Sequence, residues 1–259
     1  MYDIVIIGAG VSGCMLAHKL ARYQLKTAVI EAGCDVASGA TRANSAIVHA
    51  GFDAENGTLK AKLNVIGCTE LPKIAEQLDV PYKNNTSIVA AFSDEDVEKL
   101  RALYERGERN GVKGLYIADR DEVHKLEPNL SSEVVAALVA PSAGIICPYE
   151  LTIACAENAA INGCEFFFDR RVDRIIDNGD HVTVGAGDFK LDARYIVNAA
   201  GVHSDELARL ADPDYPISLR ARRGEYMILD KSEGSTCSST IFTVPSKEGK
   251  GILVSPTVD

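Results

Sequence analysis

The sequence predicts an α/β fold: a parallel sheet covered by helices, with a second lobe inserted through it. Three observations predict it. The N-terminus reads as strand, glycine turn, helix and strand: Ile4-Val5-Ile6-Ile7, then Gly8-Ala9-Gly10-Val11-Ser12-Gly13, a breaker-free stretch to Ala21, and Thr27-Ala28-Val29-Ile30 ending on Glu31. Strand and helix patterns alternate again between Tyr149 and Gly201. Residues 82–142 and the part after Pro216 fall outside that alternation and read as the inserted lobe.

Each residue type in the opening unit has a physical task. Gly8 permits the sharp turn out of the strand, Gly10 lets a pyrophosphate approach the backbone, and Gly13 lets the helix lie close to the sheet. The first helical turn, at Val11 and Ser12, offers unpaired N–H groups and the positive end of a dipole to phosphates. Glu31, eighteen residues past Gly13, stands where a carboxylate accepts hydrogen bonds from a ribose diol. Strand, helix and acidic end are all present, so the stretch reads as a dinucleotide site rather than a bare glycine-rich turn.

The remaining elements follow in order. Ala32 to Gly57 is too long for a plain connection. Its middle, Thr41 to Phe52, mixes hydrogen-bonding and small residues, which suits close approach to a flat ligand. Leu59 to Leu78 has near-helical apolar spacing, and Pro72 is expected to kink or interrupt it. Ser87 to Phe92 is a strand; Ser93 then caps a helix with the acidic first turn Asp94-Glu95-Asp96, which Asn110-Gly111 ends. Asp121 to Leu126 is a short helix stopped by Glu127-Pro128, and Val134 to Val139 is a strand. Tyr149 to Asn162 reads as a helix, Glu165 to Phe168 as a strand, and Val172 to Ile176 with His181 to Val184 as a hairpin turning at Asn178-Gly179. Ala193 to Gly201 is an apolar strand running into small residues, and Leu219 to Leu229 and Ile252 to Val254 are later strand signals. The expected division is a nucleotide-binding domain over 1–81 plus 143–215 and a substrate domain over 82–142 plus 216–259.

Composition narrows the function classes. Net charge is −10 over 259 residues, with no basic block, which argues against nucleic-acid binding. No apolar run approaches the roughly 18 residues of a membrane span, and the N-terminus enters a strand without a secretory leader. Contact with a membrane surface stays open. Cys14, Cys34, Cys68, Cys147, Cys155, Cys164 and Cys237 are scattered, odd in number and without a CxxC pair, so they read as reduced thiols of a cytoplasmic protein. The five histidines show no ligand spacing, so no metal is expected.

With these residues in hand, the chain resembles the D-amino-acid-oxidase-like family of FAD-dependent oxidoreductases, over essentially its whole length. The likeness is strongest to the branch with anaerobic-type glycerol-3-phosphate dehydrogenase and L-2-hydroxyglutarate oxidase. Three motifs carry it: Gly8 to Gly13 with Glu31; Thr41-Arg42-Ala43-Asn44-Ser45-Ala46-Ile47-Val48-His49-Ala50-Gly51; and Ile196-Val197-Asn198-Ala199-Ala200-Gly201.

The resemblance implies a Rossmann-like FAD-binding domain, two-lobed and glutathione-reductase-like, with an inserted, mostly β substrate domain. It implies non-covalent FAD, with Glu31 and Ala32 at the adenosine end and backbone near Val172 at the adenine. Thr41, Arg42, Asn44 and Ser45 would meet the phosphates or ring edge, His49, Ala50 and Gly51 the isoalloxazine, and Ala199, Ala200 and Gly201 the returning strand end. The implied reaction is hydride transfer from the secondary alcohol of a small anionic substrate to flavin N5. The first expectation is sn-glycerol 3-phosphate to dihydroxyacetone phosphate, followed by L-2-hydroxyglutarate and then an amino acid. The electron acceptor is left open among a quinone, an iron–sulfur partner and oxygen.

That reaction needs a proton acceptor and a cation for the substrate's anionic end. His49 is the candidate acceptor, because an unperturbed imidazole titrates near neutrality, although packing against FAD explains it equally well. Arg220, Arg222 and Arg223 lie on the expected strand; Arg222 is the candidate anion-binding residue, and Arg222 and Arg223 point to opposite faces if that strand is regular. His203 more simply starts the following helix. Two other readings remain: a nucleotide-binding module without chemistry of its own, and an NAD-dependent dehydrogenase. Family members continue past Gly251 to Asp259 into a glycine-rich segment that closes over the flavin ring, so a C-terminally truncated chain with an incomplete active site is expected.

Overall fold

The computed structural model describes residues 1–245 and 251–258. The chain opens with strand β1 (Tyr2–Ile7), helix α1 (Val11–Leu20) and strand β2 (Thr27–Ile30). Then come β3 (Ile47–Val48), α2 (Leu59–Gln77), β4 (Tyr82–Lys83), β5 (Ser87–Ala91), α3 (Asp94–Asn110), β6 (Tyr116–Asp119), α4 (Arg120–Leu126), β7 (Ala136–Ala140) and β8 (Gly144–Ile146). Next are α5 (Pro148–Ile161), β9 (Glu165–Phe167), β10 (Arg174–Asp177), β11 (Val182–Ala186), β12 (Phe189–Asn198) and α6 (Ser204–Ala211), with β13 (Thr240–Thr243) and β14 (Leu253–Val254) last.

Two compact units divide the chain: 1–44 with 148–225, and 45–147 with 226–259. The first holds a six-stranded sheet of order β10-β11-β12-β1-β2-β9. Strands β12, β1, β2 and β9 run parallel, and β10 to β12 form an antiparallel meander at one side. Its core is built from Val5, Ile7, Ala28 and Ile30 against Val184, Leu191 and Leu207. Helices α1 and α5 pack on each other, with Cys14, Ala17, Cys155 and Ala159 fully buried. Burial first, and then the neighbouring Cys155 and Cys164, push the Cys14 thiol up to about 12. Thiols held this far into the neutral form are packing groups rather than nucleophiles.

The second unit holds a five-stranded sheet of order β14-β13-β5-β7-β6, a three-stranded sheet β3-β8-β4, and helices α2 to α4. Every residue of β5 is buried. Its Val89 and Ala91 pack with Leu100 and Leu103 of α3, while Ile88 and Ala90 pack with Val123 and Val134 on the other face. A strand covered on both faces reads as an unbroken apolar run, as this one does. Helix α3 begins where Ser93 Oγ accepts from the Asp96 N–H at 3.2 Å, and ends at Gly111, whose φ of +84° is left-handed. Glu127 is buried just past α4 and accepts hydrogen bonds from the Ser238 N–H and hydroxyl and the Ser239 N–H. Burial alone would raise its carboxyl, but these hydrogen bonds outweigh it and hold Glu127 below the usual glutamate range.

Three differences from the sequence expectations have physical causes. Helix α2 runs unbroken through Pro72. A proline inside a helix costs one backbone bond and about 3 kcal/mol; burial of Cys68, Ile74 and Ala75 on the adjacent turns and the Thr58 cap hold the helix across it. Residues 45–81 group with the second unit, because β3 pairs with β8 (Ile47 opposite Ile145) and α2 packs on β3, β4 and α3. These units are set by packing, whereas the expected domains were set by ligand. Leu219 to Leu229 is not a strand: residues 217–230 have no regular structure. A strand persists only where a neighbour takes its N–H and C=O groups, and among the described residues none pairs with this stretch.

Candidate dinucleotide site

Strands β1 and β2 lead in one direction across the first unit's sheet, while β12 returns on the other side of β1. In open α/β sheets the carboxyl ends of strands at such a switch point form the ligand crevice. A cleft of about 570 Å³ lies there. It is lined by Gly8 and Gly10 after β1, Glu31 and Ala32 after β2, and Ala199 to Gly201 after β12.

Sterics at two glycines set this geometry. Gly8 has φ +109°, and a Cβ there would stand 2.5 Å from the Ala199 carbonyl oxygen. A Cβ on Gly13 would stand 1.9 Å from the Gly8 carbonyl oxygen. Helix α1 therefore lies closer to β1 than any side chain would allow, with its N-terminal residues Val11 and Ser12 in the cleft wall. The N-cap, Gly10, supplies no capping side chain. The Val11 N–H instead donates to Thr41 Oγ1 at 3.0 Å, from thirty residues away. Ser12 and Gly13 keep first-turn N–H groups without a side-chain cap, at the end of the helix that attracts anions.

Glu31 is held in place by backbone amides. Its Oε2 accepts from the Ala9 N–H at 2.7 Å and its Oε1 from the Gly33 N–H at 2.8 Å. Each carboxylate oxygen retains a second acceptor direction for ribose hydroxyls. A further wall, Arg170 to Asp173, is tied to Glu31 by the Arg170 N–H donating to the Glu31 carbonyl at 2.8 Å. Helix α6 closes the cleft with Glu206, Leu207 and Leu210, joined by His203 at its N-cap. Helix N-terminus, close backbone approach and fixed acidic end together fit the adenosine-diphosphate half of a dinucleotide.

The cleft brings together most of the sequence candidates: Gly8, Gly10, Val11, Ser12, Glu31 and Ala32, with Thr41, Asn44, Val172, Ala199, Ala200 and Gly201. Gly13 stands behind it as a packing residue, and Arg42 is exposed outside the lining. Ser45, His49, Ala50 and Gly51 belong to the second unit. There the His49 ring lies 6.0 Å from Phe242 and its carbonyl accepts from Asn64 Nδ2 at 2.7 Å. Ala50 sits in the apolar core, and Gly51 has φ +109° with its missing Cβ facing Val65 Cγ2 at 2.7 Å. Arg220 and Arg222 are exposed on the irregular stretch, and Arg223 pairs with Glu225 at 2.7 Å in the open. The alternation argument for Arg222 falls with the strand that it required.

Sequence reasoning misses Ser38, Gly39 and Ala40, the arginine pair 170–171 and the α6 wall. The available signal for α6 was a helix starting directly after the Ala-Ala-Gly end of β12. For the arginines the available signal was the neighbouring Val172, which the resemblance already set at the adenine.

A family model described as FAD dependent oxidoreductase matches residues 3–259. A glycerol 3-phosphate dehydrogenase from Caloramator mitchellensis is 43% identical over 100% of this chain and 54% of its own length. A glycerol 3-phosphate oxidase from Mycoplasma pneumoniae is 30% identical over 99% of this chain and 68% of its own. The chain thus spans between about half and two thirds of the length of these relatives. Among solved structures, the dithionite-reduced L-alpha-glycerophosphate oxidase of Mycoplasma pneumoniae with FAD bound superposes with a TM-score of 0.85 at 27% identity, covering 100% of this chain and 69% of that one. Glycine oxidase from Geobacillus kaustophilus, at 21% identity and a TM-score of 0.79 over 100% of this chain and 73% of its own, shares the fold.

Proposed function

The chain belongs to the family of FAD-dependent oxidoreductases, and on that premise we propose that it takes part in oxidising a small anionic secondary alcohol, sn-glycerol 3-phosphate, to the ketone dihydroxyacetone phosphate. The observation that carries this reading is the cleft at the ends of β1, β2 and β12, with its uncapped helix N-terminus and fixed Glu31. The cofactor of the family is FAD, which when bound supplies the hydride acceptor at flavin N5. The chain's own residues do the rest of the work assigned here. The first-turn N–H group of Ser12 at the start of α1 holds the pyrophosphate, and Glu31 accepts from the ribose hydroxyls. Leu207 and Leu210 of α6 keep water from the cleft wall.

The relatives' names support this substrate: two of them are named for glycerol 3-phosphate. A second reading is L-2-hydroxyglutarate, favoured by a relative of that name from Caenorhabditis elegans, 30% identical over 94% of this chain. Both substrates are anionic secondary alcohols, so both need a group that takes the hydroxyl proton. His49 is the proposed acceptor, half-buried and held through its carbonyl by Asn64. The reading places the protein in the cytoplasm, in keeping with seven scattered cysteines. Among the described residues no helix is long and apolar enough to cross a membrane.

The test is anaerobic titration of FAD-loaded protein while following flavin absorbance near ~450 nm. Bleaching by sn-glycerol 3-phosphate supports the first reading, bleaching only by L-2-hydroxyglutarate the second. Tight flavin that neither compound bleaches would leave a cofactor-binding module and sink the proposed chemistry.

A further inference from the structure

Charge balance in the cleft points to a residue that the fingerprint does not contain. The ionised groups in its wall are Arg170 and Arg171 against Glu31, Asp173 and Glu206, one net negative charge in a protein of net charge −10. A dinucleotide diphosphate would bring further negative charge to that wall. The neutralising groups are therefore scarce, and most are already occupied.

Glu31 is bound by the amides of Ala9 and Gly33. The Arg170 guanidinium lies 5.3 Å over the Phe189 ring and donates to the Asp169 carbonyl at 3.1 Å. Asp173 accepts from Arg174 Nη1 at 2.9 Å and from the Gly187 N–H at 2.7 Å. Glu206 meets His203 Nδ1 at 3.2 Å. Among the described residues, Arg171 is the one ionised group of the wall without a partner. Its backbone neighbour Arg170 is anchored to the Glu31 carbonyl, so the segment that carries Arg171 is fixed at the ribose end of the cleft.

We infer that Arg171 is a cofactor-affinity residue: its guanidinium, at the ribose end of the cleft, supplies positive charge that raises affinity for the anionic adenosine-diphosphate half of FAD. This rests on the proposed reading of the cleft as the adenosine-diphosphate site. The helix α1 dipole contributes partial charge at the other wall, and Arg171 contributes a full one. One added positive charge in the cleft wall changes affinity by about tenfold.

The experiment titrates the full 259-residue chain with ADP by calorimetry and with FAD by fluorescence, at several salt concentrations. Arg171→Ala is expected to weaken both ligands by about tenfold and to flatten the dependence of affinity on salt. Arg171→Lys keeps most of the affinity, and Arg171→Glu loses more than Arg171→Ala. Circular dichroism is expected to stay unchanged in all three variants, since the side chain is exposed and has no hydrogen-bond or ionic partner among the described residues. ADP and FAD affinities within twofold of wild type in Arg171→Ala overturn the inference while leaving the cleft reading intact. Wild-type protein that binds neither ligand overturns the cleft reading itself, and the role of Arg171 with it.

Discussion

The same substitution, glycine to alanine inside a helix, should have opposite effects at Gly13 and Gly67. Alanine is favoured over glycine in a helix by about 0.8–1.0 kcal/mol, because glycine loses more backbone freedom on folding. At Gly67 in α2 a Cβ would meet nothing within 4 Å, so that gain is realised in full. At Gly13 the Cβ would stand 1.9 Å from the Gly8 carbonyl oxygen, 3.1 Å from its carbon and 3.3 Å from Ile6 Cγ2. The nearest atoms are backbone, which cannot rotate aside, so α1 must move off β1. Overpacking of this kind costs about 1–3 kcal/mol, and backbone contact puts Gly13→Ala at the upper end. Subtracting the helix gain leaves a net loss of roughly 2 kcal/mol.

Scanning calorimetry on the two variants reads this directly. Gly13→Ala should lower the melting temperature of the first unit by roughly 4–8 °C, and Gly67→Ala should raise that of the second by roughly 2–4 °C. Gly13→Ala should also weaken ADP binding, because the helix N-terminus is displaced from the cleft. Melting temperatures that move the same way, or ADP affinity that Gly13→Ala leaves untouched, would refute the packing argument.

Three further outcomes are expected. Glu127→Gln should destabilise the second unit by about 2–3 kcal/mol near neutral pH, since a buried ion accepting several hydrogen bonds is lost. The sign with pH follows from the depressed carboxyl: its stabilisation is complete above the usual glutamate range and fades as pH falls through the lowered folded value. The gap between wild type and Glu127→Gln should therefore close in acid, and a gap that widens in acid melts would contradict the clamp. Thr41→Val removes the acceptor for the Val11 N–H and should cost about 1 kcal/mol, as loss of an N-cap does, with Thr41→Ser restoring it in urea melts. Arg222→Ala, on an exposed irregular stretch, should change stability by less than about 0.5 kcal/mol; a larger loss in the same melts would reveal packing that the structure does not show.

What was legible in the sequence was local. The turn at Gly8, the acidic residue ending β2, the Ser93 cap and the Gly111 terminus are each decided by a few neighbouring residues, and each is found where it was expected. What was illegible depends on partners far along the chain. Residues 45–81 read as part of the first lobe until Ile47 is seen paired with Ile145. Helix α2 survives Pro72 because of residues packed on its flanking turns, which apolar spacing alone does not weigh. Leu219 to Leu229 has the apolar content of a strand, but strand formation needs a neighbour that propensity cannot supply.

The candidate site divides the same way. The glycine turn after β1, Glu31 after β2 and the Ala199-Ala200-Gly201 end of β12 converge because parallel strands bring their carboxyl ends together, whereas Ser45 to Gly51 of the remaining motif belong to the second unit. The arginines at 170 and 171 enter through the β9–β10 connection, and α6 through the turn after Gly201. His49 was chosen for its chemistry alone, and its surroundings in the second unit show a packed ring and a tethered backbone.

The claim at the centre of this account is that the cleft between α1, Glu31 and α6 holds the adenosine-diphosphate half of FAD. Equilibrium titration of the flavin-free chain with FAD, in competition with ADP, tests it most directly. The account predicts one FAD per chain, displaced by ADP, with Glu31→Ala weakening both ligands by more than tenfold. FAD binding that ADP cannot displace, or that Glu31→Ala leaves unchanged, would contradict it.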